Sequence, residues 1–290
     1  MPNNSWINGK TCMITGANTG IGKETARKIA SLGAHLVMVC RNLEKGEAAR
    51  KEIIQKTNNQ NVDLLICDLS SLNEVKQFTD EFLKKYSSLH VLINNAGVFR
   101  MKRNVTEDGF ELTFAVNYLA HFYLTKLLLP LLRKSSPSRI VNLSSDIHKF
   151  FKVKLKDPLL EKRYSGQQAY SNSKTAMVLF TNKLVRELEG TGVSAFTVNP
   201  GHIKTQLTTE GLPKWMNTMS NLIPNRRTPE QGAETSVYAA ASNDLEGVTG
   251  KYLTDCKETK TAKMTKVIEN QDYLWELSER LVSEAIEKES

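Results

Sequence analysis

Cysteine is scarce in this chain of 290 residues, which holds four, and none of them forms a C-x-x-C pair. Cys12, Cys40 and Cys67 lie in apolar runs, and Cys256 stands apart from them. A disulfide framework or a zinc site needs cysteines at set spacings. We therefore expect reduced thiols, no disulfide framework and no bound metal.

Long apolar runs are missing as well. The most apolar stretch, 110–132, is interrupted by Asn117, His121, Lys126 and Pro130, whereas a membrane-spanning helix needs about 20 consecutive apolar residues. The beginning of the chain, MPNNSWINGK, is polar and holds no signal-peptide core. These absences predict a cytoplasmic protein without a signal peptide or a transmembrane helix.

A concentrated basic tract is also missing, although the net charge is +8. Lys and Arg are spread along the chain, without an Arg-rich run or the aromatic interleaving of RNA-binding and DNA-binding modules. We expect no nucleic-acid partner. The positive charge suits an anionic cofactor or an anionic membrane surface.

Short apolar runs that alternate with helical patterns are abundant. Strands are predicted at 11–15, 35–40, 62–69, 91–94, 139–144, 193–198 and 251–254. Near-continuous apolar strands joined by helices are typical of a parallel sheet that is covered on both faces. No repeat or Pro/Gly/Ser-rich linker divides the chain. The predicted fold class is α/β, a single Rossmann-like doubly wound parallel sheet with helices on both faces, in one domain over 1–290.

Three glycines lie between the first predicted strand and the first predicted helix, in the spacing G-x-x-x-G-x-G: Gly16, Gly20 and Gly22. Glycine permits the backbone torsions and the close approach that a pyrophosphate needs at such a turn. The N-terminus of the following helix presents free N–H groups and a positive dipole end to the phosphates. This placement predicts a dinucleotide site.

The second predicted strand ends in Arg41, where a cofactor without a 2′-phosphate usually meets an acidic residue. A guanidinium suits a phosphate and can stack on adenine. We therefore predict NADP(H) rather than NAD(H), the alternative being a merely exposed arginine. Asp68, which ends the third strand, is expected to bind the adenine amino group or to cap a helix.

A tyrosine and a lysine four positions apart, Tyr170 and Lys174, share one face of a predicted helix. An ammonium beside a phenol favours the phenolate, so we expect the pKa of Tyr170 to be lowered toward the working pH. Ser144 and Ser145 follow the fifth strand, and Pro200 follows the sixth. All lie where the carboxyl ends of parallel strands form a ligand crevice.

The chain resembles the short-chain dehydrogenase/reductase family over nearly its full length. The matching motifs are TGANTGIG, Asp68-Leu69, Asn94-Asn95-Ala96-Gly97, Asn117, Ser145, Tyr170, Lys174 and the Pro200-Gly201 turn. The resemblance implies that Tyr170 is the acid/base, that Ser145 hydrogen-bonds the substrate oxygen and that Lys174 binds the nicotinamide ribose. It also implies that Asn117 holds a water in the proton relay. Ser145 is preferred to Ser144 because members of this branch show the same step of 25 residues to the tyrosine.

The same resemblance implies the cofactor-binding set, within a cofactor-binding part at about 8–200. Its members are Gly16, Asn18, Thr19, Gly20, Ile21, Gly22, Arg41, Asp68, Leu69, Asn95, Ala96, Gly97, Tyr170, Lys174, Pro200, Ile203 and Thr205. A substrate lid is implied at about 202–228. Its apolar positions at 211–224 predict either a lid wall for a lipophilic substrate or a helix packed on the core.

Within the family the chain looks like the retinol dehydrogenase branch, because of CRN at 40–42, EKRYSGQQAYSNSK at 161–174 and LEGTGVSAFTVNPGHIKTQL at 188–207. It departs from that branch at Asp146, where an apolar residue is usual, and at Asn199, where histidine is frequent. The expected function is NADP(H)-dependent interconversion of a lipophilic alcohol, retinol or similar, and its aldehyde or ketone. Reduction of other carbonyls, or cofactor sensing without turnover, are the alternatives.

The segment 149–156 mixes phenylalanines with lysines. It predicts either a peripheral contact with an anionic membrane or an ordinary solvated loop. The expected partner is thus a small lipophilic substrate, and a membrane contact at this segment is left open. Formation of a homo-oligomer is left open.

Overall fold

The computed structural model describes residues 6–151, 153, 155–201 and 227–287. In this part of the chain one sheet of eight strands has the order β3-β2-β1-β4-β5-β6-β7-β8. The strands are β1 Thr11–Thr15, β2 His35–Cys40, β3 Val62–Ile66, β4 Val91–Asn94, β5 Ser138–Leu143, β6 Val193–Asn199, β7 Tyr252–Thr254 and β8 Lys257–Glu258.

The pairings from β3 through to β7 are all parallel, and β8 alone pairs antiparallel, with β7. Strand β1 lies between β2 and β4, so the order of the chain reverses there. In an open α/β sheet the ligand crevice lies outside the carboxyl ends of the strands at such a reversal. The predicted doubly wound α/β class is confirmed, whereas the short β8 was not predicted.

Helices cover both faces of the sheet. They are α1 Gly20–Ser31, α2 Leu43–Thr57, α3 Leu72–Lys85, α4 Leu112–Phe114, α5 Ala120–Lys134, α6 Gly166–Glu187, α7 Pro229–Ala241 and α8 Ile268–Glu287. Residues of α1, α2 and α7 contribute to one apolar core, and residues of α3, α5, α6 and α8 contribute to the other. Strands β1 to β6 alternate their side chains between the two cores, which explains the near-continuous apolar runs.

Helices α4 and α5 are joined by a π-helical turn, Ala115–Leu119, into one continuous helix. In the described part of the chain, this helix, Leu112–Lys134, is the one that is long and apolar enough to cross a membrane by composition, and 72% of its apolar window is buried in the fold. A buried core helix passes the same test of length and composition. The cytoplasmic location inferred from the sequence stays a prediction.

The cysteines are free thiols, and Cys12, Cys40 and Cys67 are buried as expected. Burial raises the pKa of Cys12 and of Cys67 to about 12, so both are protonated at neutral pH. Cys256 is partly exposed. Cys12 and Cys67 therefore lack the thiolate character that a catalytic cysteine requires.

Candidate active site

The turn between β1 and α1 depends on its glycines. Gly16 and Gly20 have φ of 66° and 54°, a region that side chains with a Cβ rarely adopt. A Cβ on Gly22 would lie 2.2 Å from the carbonyl oxygen of Gly16, so any side chain there would displace the turn. The backbone N–H of Gly16 donates to the carbonyl of Val39 at 2.8 Å, which ties this turn to the end of β2.

The N-terminus of α1 has the properties of a phosphate site. The N-cap residue, Thr19, has an extended backbone, and its side chain makes no capping hydrogen bond. A Cβ added to Gly20 would meet no described atom within 4 Å, so the first turn of the helix faces open space. Uncapped N–H groups and the positive end of the helix dipole favour an anion. This turn, which includes Asn18 and Ile21, therefore fits the pyrophosphate of a dinucleotide.

Thr15 joins the glycine turn to the segment that follows β4. Its Oγ1 accepts hydrogen bonds from the backbone N–H groups of Asn95, at 2.9 Å, and Ala96, at 3.0 Å. In return, Asn95 Nδ2 donates to the carbonyl of Thr15 at 2.7 Å. The Asn95–Gly97 segment is thus fixed against the predicted pyrophosphate site.

A buried histidine extends this connection to the π turn. The Nδ1 of His121 lies 3.3 Å from the carbonyl oxygen of Asn117, and its Nε2 lies 2.9 Å from Thr15 Oγ1. A carbonyl can only accept, so Nδ1 carries the proton and Nε2 accepts from the threonine hydroxyl. Burial lowers the pKa of His121 to about 3, which keeps the ring neutral. Sequence analysis missed the roles of Thr15 and His121.

The Asn117 side chain holds two elements together. Its Oδ1 accepts from the N–H of Val98 at 2.6 Å, and its Nδ2 donates to the Val98 carbonyl at 3.0 Å and to Ser173 Oγ at 3.1 Å. A Cβ on Gly97 would lie 3.7 Å from Lys174 Nζ, so the loop after β4 reaches α6 here. The side-chain amide of Asn117 is occupied by these hydrogen bonds. A water in a proton relay would therefore have to donate its hydrogen bond to the backbone carbonyl of Asn117.

Tyr170 and Lys174 lie together on α6. The Nζ of Lys174 lies 5.6 Å from the centroid of the Tyr170 ring and donates to the carbonyl of Leu143 at 3.0 Å. Phe99 packs edge-on against the tyrosine ring, with 5.7 Å between the ring centroids. The lysine is thereby fixed between the end of β5 and the phenol.

Two serines follow β5, and the structure separates them. Ser144 is buried, and its Oγ donates to the carbonyl of Lys174 at 2.7 Å. Ser145 is partly exposed, and its Oγ accepts only a long hydrogen bond, at 3.4 Å, from the N–H of Ile147 among the described residues. Ser144 is therefore committed to holding α6, whereas the hydroxyl of Ser145 can contact a substrate.

The expected lowering of the tyrosine pKa is wrong. Burial raises the pKa of Tyr170 to about 12, and burial lowers the pKa of Lys174 to about 8. Desolvation of the buried phenolate is the one cause of this rise, and Lys174, whose Nζ lies 5.6 Å from the centroid of the ring, does not offset it. Tyr170 is a neutral phenol at physiological pH, which is the form that donates a proton.

Ser145 is flanked by a short 3-10 helix, Asp146–Lys149, that contains a buried histidine. His148 Nδ1 lies 2.6 Å from the carbonyl oxygen of Ser145, and its Nε2 accepts from the N–H of Ala262 at 3.3 Å. The unusual residue Asp146 accepts a hydrogen bond from the hydroxyl of Tyr252 at 3.1 Å.

At the predicted adenine end of the site, Arg41 is exposed directly after β2. The next residue, Asn42, caps α2 by accepting from the N–H of Lys45 at 2.8 Å. Asp68 lies beyond the end of β3, and its Oδ1 accepts from both the N–H and the Oγ of Ser70. Asp68 therefore stabilises its own turn, while the neighbouring Leu69 is buried.

The turn after β6 completes the described site. Pro200 follows β6, and Gly201, with φ of 82°, donates its N–H to Asn199 Oδ1 at 3.0 Å. The predicted nicotinamide contacts Ile203 and Thr205 and most of the predicted lid lie outside the described residues. Arg227, where the description resumes, forms an ion pair with Asp255.

Comparisons with known proteins agree with this geometry. A family model described as short chain dehydrogenase matches residues 10–214. Mouse retinol dehydrogenase 12 (Mus musculus) is 42% identical over 275 residues, covering 95% of this chain and 87% of that protein. Human retinol dehydrogenase 11 (Homo sapiens) is 41% identical over 271 residues, covering 93% of this chain and 85% of that protein.

Solved structures show the same fold. A crystal structure of an uncharacterized protein from Mycobacterium paratuberculosis has a TM-score of 0.78 at 33% identity, covering 96% of this chain and 94% of that one. A short chain dehydrogenase from Pseudomonas syringae has a TM-score of 0.69 at 25% identity, covering 86% of this chain and 95% of that one. The chain belongs to the short-chain dehydrogenase/reductase family, in its retinol dehydrogenase branch, and is an oxidoreductase of alcohols and carbonyl compounds.

Proposed function

We propose that the protein is an NADP(H)-dependent oxidoreductase that interconverts a lipophilic alcohol and its aldehyde or ketone, with a substrate like retinol and retinal. The observation that carries the proposal is that Tyr170 and Lys174 lie together on α6 against the carboxyl end of β5, where the partly exposed Ser145 follows the Ser144 that binds the carbonyl of Lys174. A protein that only senses a cofactor has no chemical need for the paired phenol and ammonium.

A bound nicotinamide supplies or accepts the hydride, and the protein handles the proton. Ser145 Oγ would donate a hydrogen bond to the substrate oxygen and fix its position. Tyr170, held neutral by a pKa of about 12, would donate its proton to the oxygen of a carbonyl substrate. Lys174 would bind the nicotinamide ribose and place its charge beside the phenolate that remains.

The preference for NADP(H) follows from the end of β2. The residues there, Cys40, Arg41 and Asn42, include no carboxylate to accept from a ribose 2′-hydroxyl. The exposed guanidinium of Arg41 can instead form paired, charge-assisted hydrogen bonds with a 2′-phosphate. In cells, use of NADP(H) favours the direction of reduction.

The substrate class is supported by the relatives, whose names specify retinol. The test is product formation from all-trans-retinal by the purified protein, with NADPH and NADH in parallel and smaller aldehydes and ketones beside it. We expect retinol, formed faster with NADPH. Turnover of only the smaller carbonyls would keep the chemistry and discard the retinoid. A preference for NADH would contradict the role of Arg41, and cofactor binding without turnover of any carbonyl would favour a sensor.

A further inference from the structure

An exposed aromatic pair lies close to Ser145. The 3-10 helix Asp146–Lys149 is followed by Phe150, whose side chain is 77% exposed, and by Phe151, which is 38% exposed. Phe150 is the most exposed large apolar side chain in the described part of the chain. Exposing an aromatic ring to water has a free-energy cost that binding to an apolar phase removes.

The sequence around this pair is strongly basic. Residues 149–163, called here the aromatic–basic loop, contain six basic and two acidic residues. This loop therefore carries four of the eight net positive charges of the whole chain. Such a combination of aromatic and cationic side chains is complementary to the surface of an anionic bilayer, where rings enter the interface and lysines contact headgroups.

Other exposed apolar side chains lack this charge setting. Leu43, 61% exposed, precedes Glu44 at the start of α2, and Ile268, 52% exposed, precedes Glu269 at the start of α8. Single exposed apolar residues are ordinary on soluble proteins. Phe150 and Phe151 differ from these residues because their sequence neighbours are mainly basic, whereas Leu43 and Ile268 each precede a glutamate.

The end of the loop is fixed to the body of the protein. Leu160 and Pro158 are buried, and the carbonyl of Pro158 accepts a hydrogen bond from Asn172 Nδ2 at 3.2 Å. Asn172 lies on α6, two residues after Tyr170. Binding at the loop would therefore hold the edge of the sheet that carries the candidate site close to the bound surface.

We propose that the aromatic–basic loop docks the protein on an anionic lipid bilayer through Phe150 and Phe151. Phosphate headgroups attract the lysines, and the two rings enter the interfacial region. This proposal does not depend on the identity of the cofactor or of the substrate, because it rests on exposure and charge.

The test is co-sedimentation of the full chain with vesicles of phosphatidylcholine alone and of phosphatidylcholine mixed with phosphatidylserine. We expect binding to the mixed vesicles that weakens as salt is added. The double variant Phe150→Ser/Phe151→Ser is expected to bind about tenfold more weakly or worse. Lys156→Glu/Lys162→Glu is expected to lose at least as much on the anionic vesicles.

Leu43→Ser/Ile268→Ser is the matched control, because it removes two apolar side chains, 61% and 52% exposed, outside the aromatic–basic loop, and it should bind as the wild type does. Circular dichroism and thermal unfolding verify that each variant is folded. Equal binding by the serine double variant, or no preference for phosphatidylserine, would overturn the proposal. A second copy of the chain is the alternative binding partner for the two rings, and sedimentation velocity tests it. A wild-type dimer that dissociates in the serine double variant would assign the rings to contact between two copies.

Discussion

His148 donates a hydrogen bond from Nδ1 to the backbone carbonyl of Ser145, across 2.6 Å, in a buried position. The direction is fixed because a carbonyl only accepts. Its Nε2 consequently accepts from the N–H of Ala262, in the segment that precedes α8. The ring thus connects Ser145, the serine proposed to contact the substrate, to the C-terminal part of the fold.

Replacing His148 should impair catalysis more than cofactor binding. In His148→Phe the ring volume is kept and both hydrogen bonds are lost, so Ser145 is less well positioned. We expect kcat for carbonyl reduction to fall by about tenfold to a hundredfold, since small displacements at a reacting centre are costly. Fluorescence titration should give an unchanged Kd for NADPH.

The pH profile separates positioning from a general loss of stability. Burial lowers the pKa of His148, and it outweighs the hydrogen bond to Ser145, which raises that pKa. The charge of Lys149 lowers the pKa, the charge of Asp146 raises it, and the ring of Tyr252 packs against the imidazole. Protonation on the acid side would remove the acceptor at Nε2. The wild type should therefore lose kcat as the pH falls below the ordinary histidine range, and His148→Phe should lack this acid limb. An identical acid limb in both proteins would contradict the role.

Tyr170→Phe tests the proton donor. The variant keeps the ring against Phe99 and loses the hydroxyl, so NADPH should bind with an unchanged Kd while kcat falls at least about a hundredfold. Carbonyl reduction by Tyr170→Phe at the wild-type rate would refute the mechanism.

Because the pKa of Lys174 is about 8, the wild-type rate of reduction should also decline above that pH, as the ammonium loses its charge.

Arg41→Asp should reverse the cofactor preference. The substituted carboxylate repels a 2′-phosphate and accepts from a free 2′-hydroxyl, so Kd should rise by about tenfold or more for NADPH and fall for NADH. Arg280→Asp on α8 makes the same change of charge at another exposed site and is the control for net charge. Equal weakening of NADPH by both variants would show that Arg41 acts only through the overall field.

Sequence patterns predicted the features that depend on local backbone geometry. The glycine turn, strands β1 to β6 and the spacing of Tyr170 and Lys174 are such features, because torsion limits and side-chain periodicity act over a few residues. The Arg41 position followed from the same strand boundary. These elements carry most of the candidate site.

The remaining features depend on contacts between distant residues. Thr15 and His121 lie 106 positions apart, so no local pattern relates them. The pKa of Tyr170 depends on burial, which is set only when α6 packs beside the Asn95–Gly97 segment. The preference for Ser145 over Ser144 came from the family resemblance, whereas its physical basis, the bond from Ser144 Oγ to the carbonyl of Lys174, joins residues that lie 30 positions apart.

His121 makes the stability of the fold depend on pH. Its pKa is about 3 in the folded protein and about 6.5 when unfolded, so the unfolded chain binds one more proton between those values. Acidification through this window therefore favours unfolding, by up to about 1.4 kcal/mol per pH unit from this residue. Urea denaturation between pH 8 and pH 5 measures the slope.

The variant His121→Gln removes the titrating ring and the paired bonds to Thr15 and Asn117. At pH 8 it should be less stable than the wild type by about 1–3 kcal/mol, the cost of leaving buried polar groups without partners. Its free energy of unfolding should fall less steeply with acid, so the difference between the two proteins narrows toward pH 5. A constant difference across that range would mean that His121 is not the buried neutral base that links the glycine turn to Asn117.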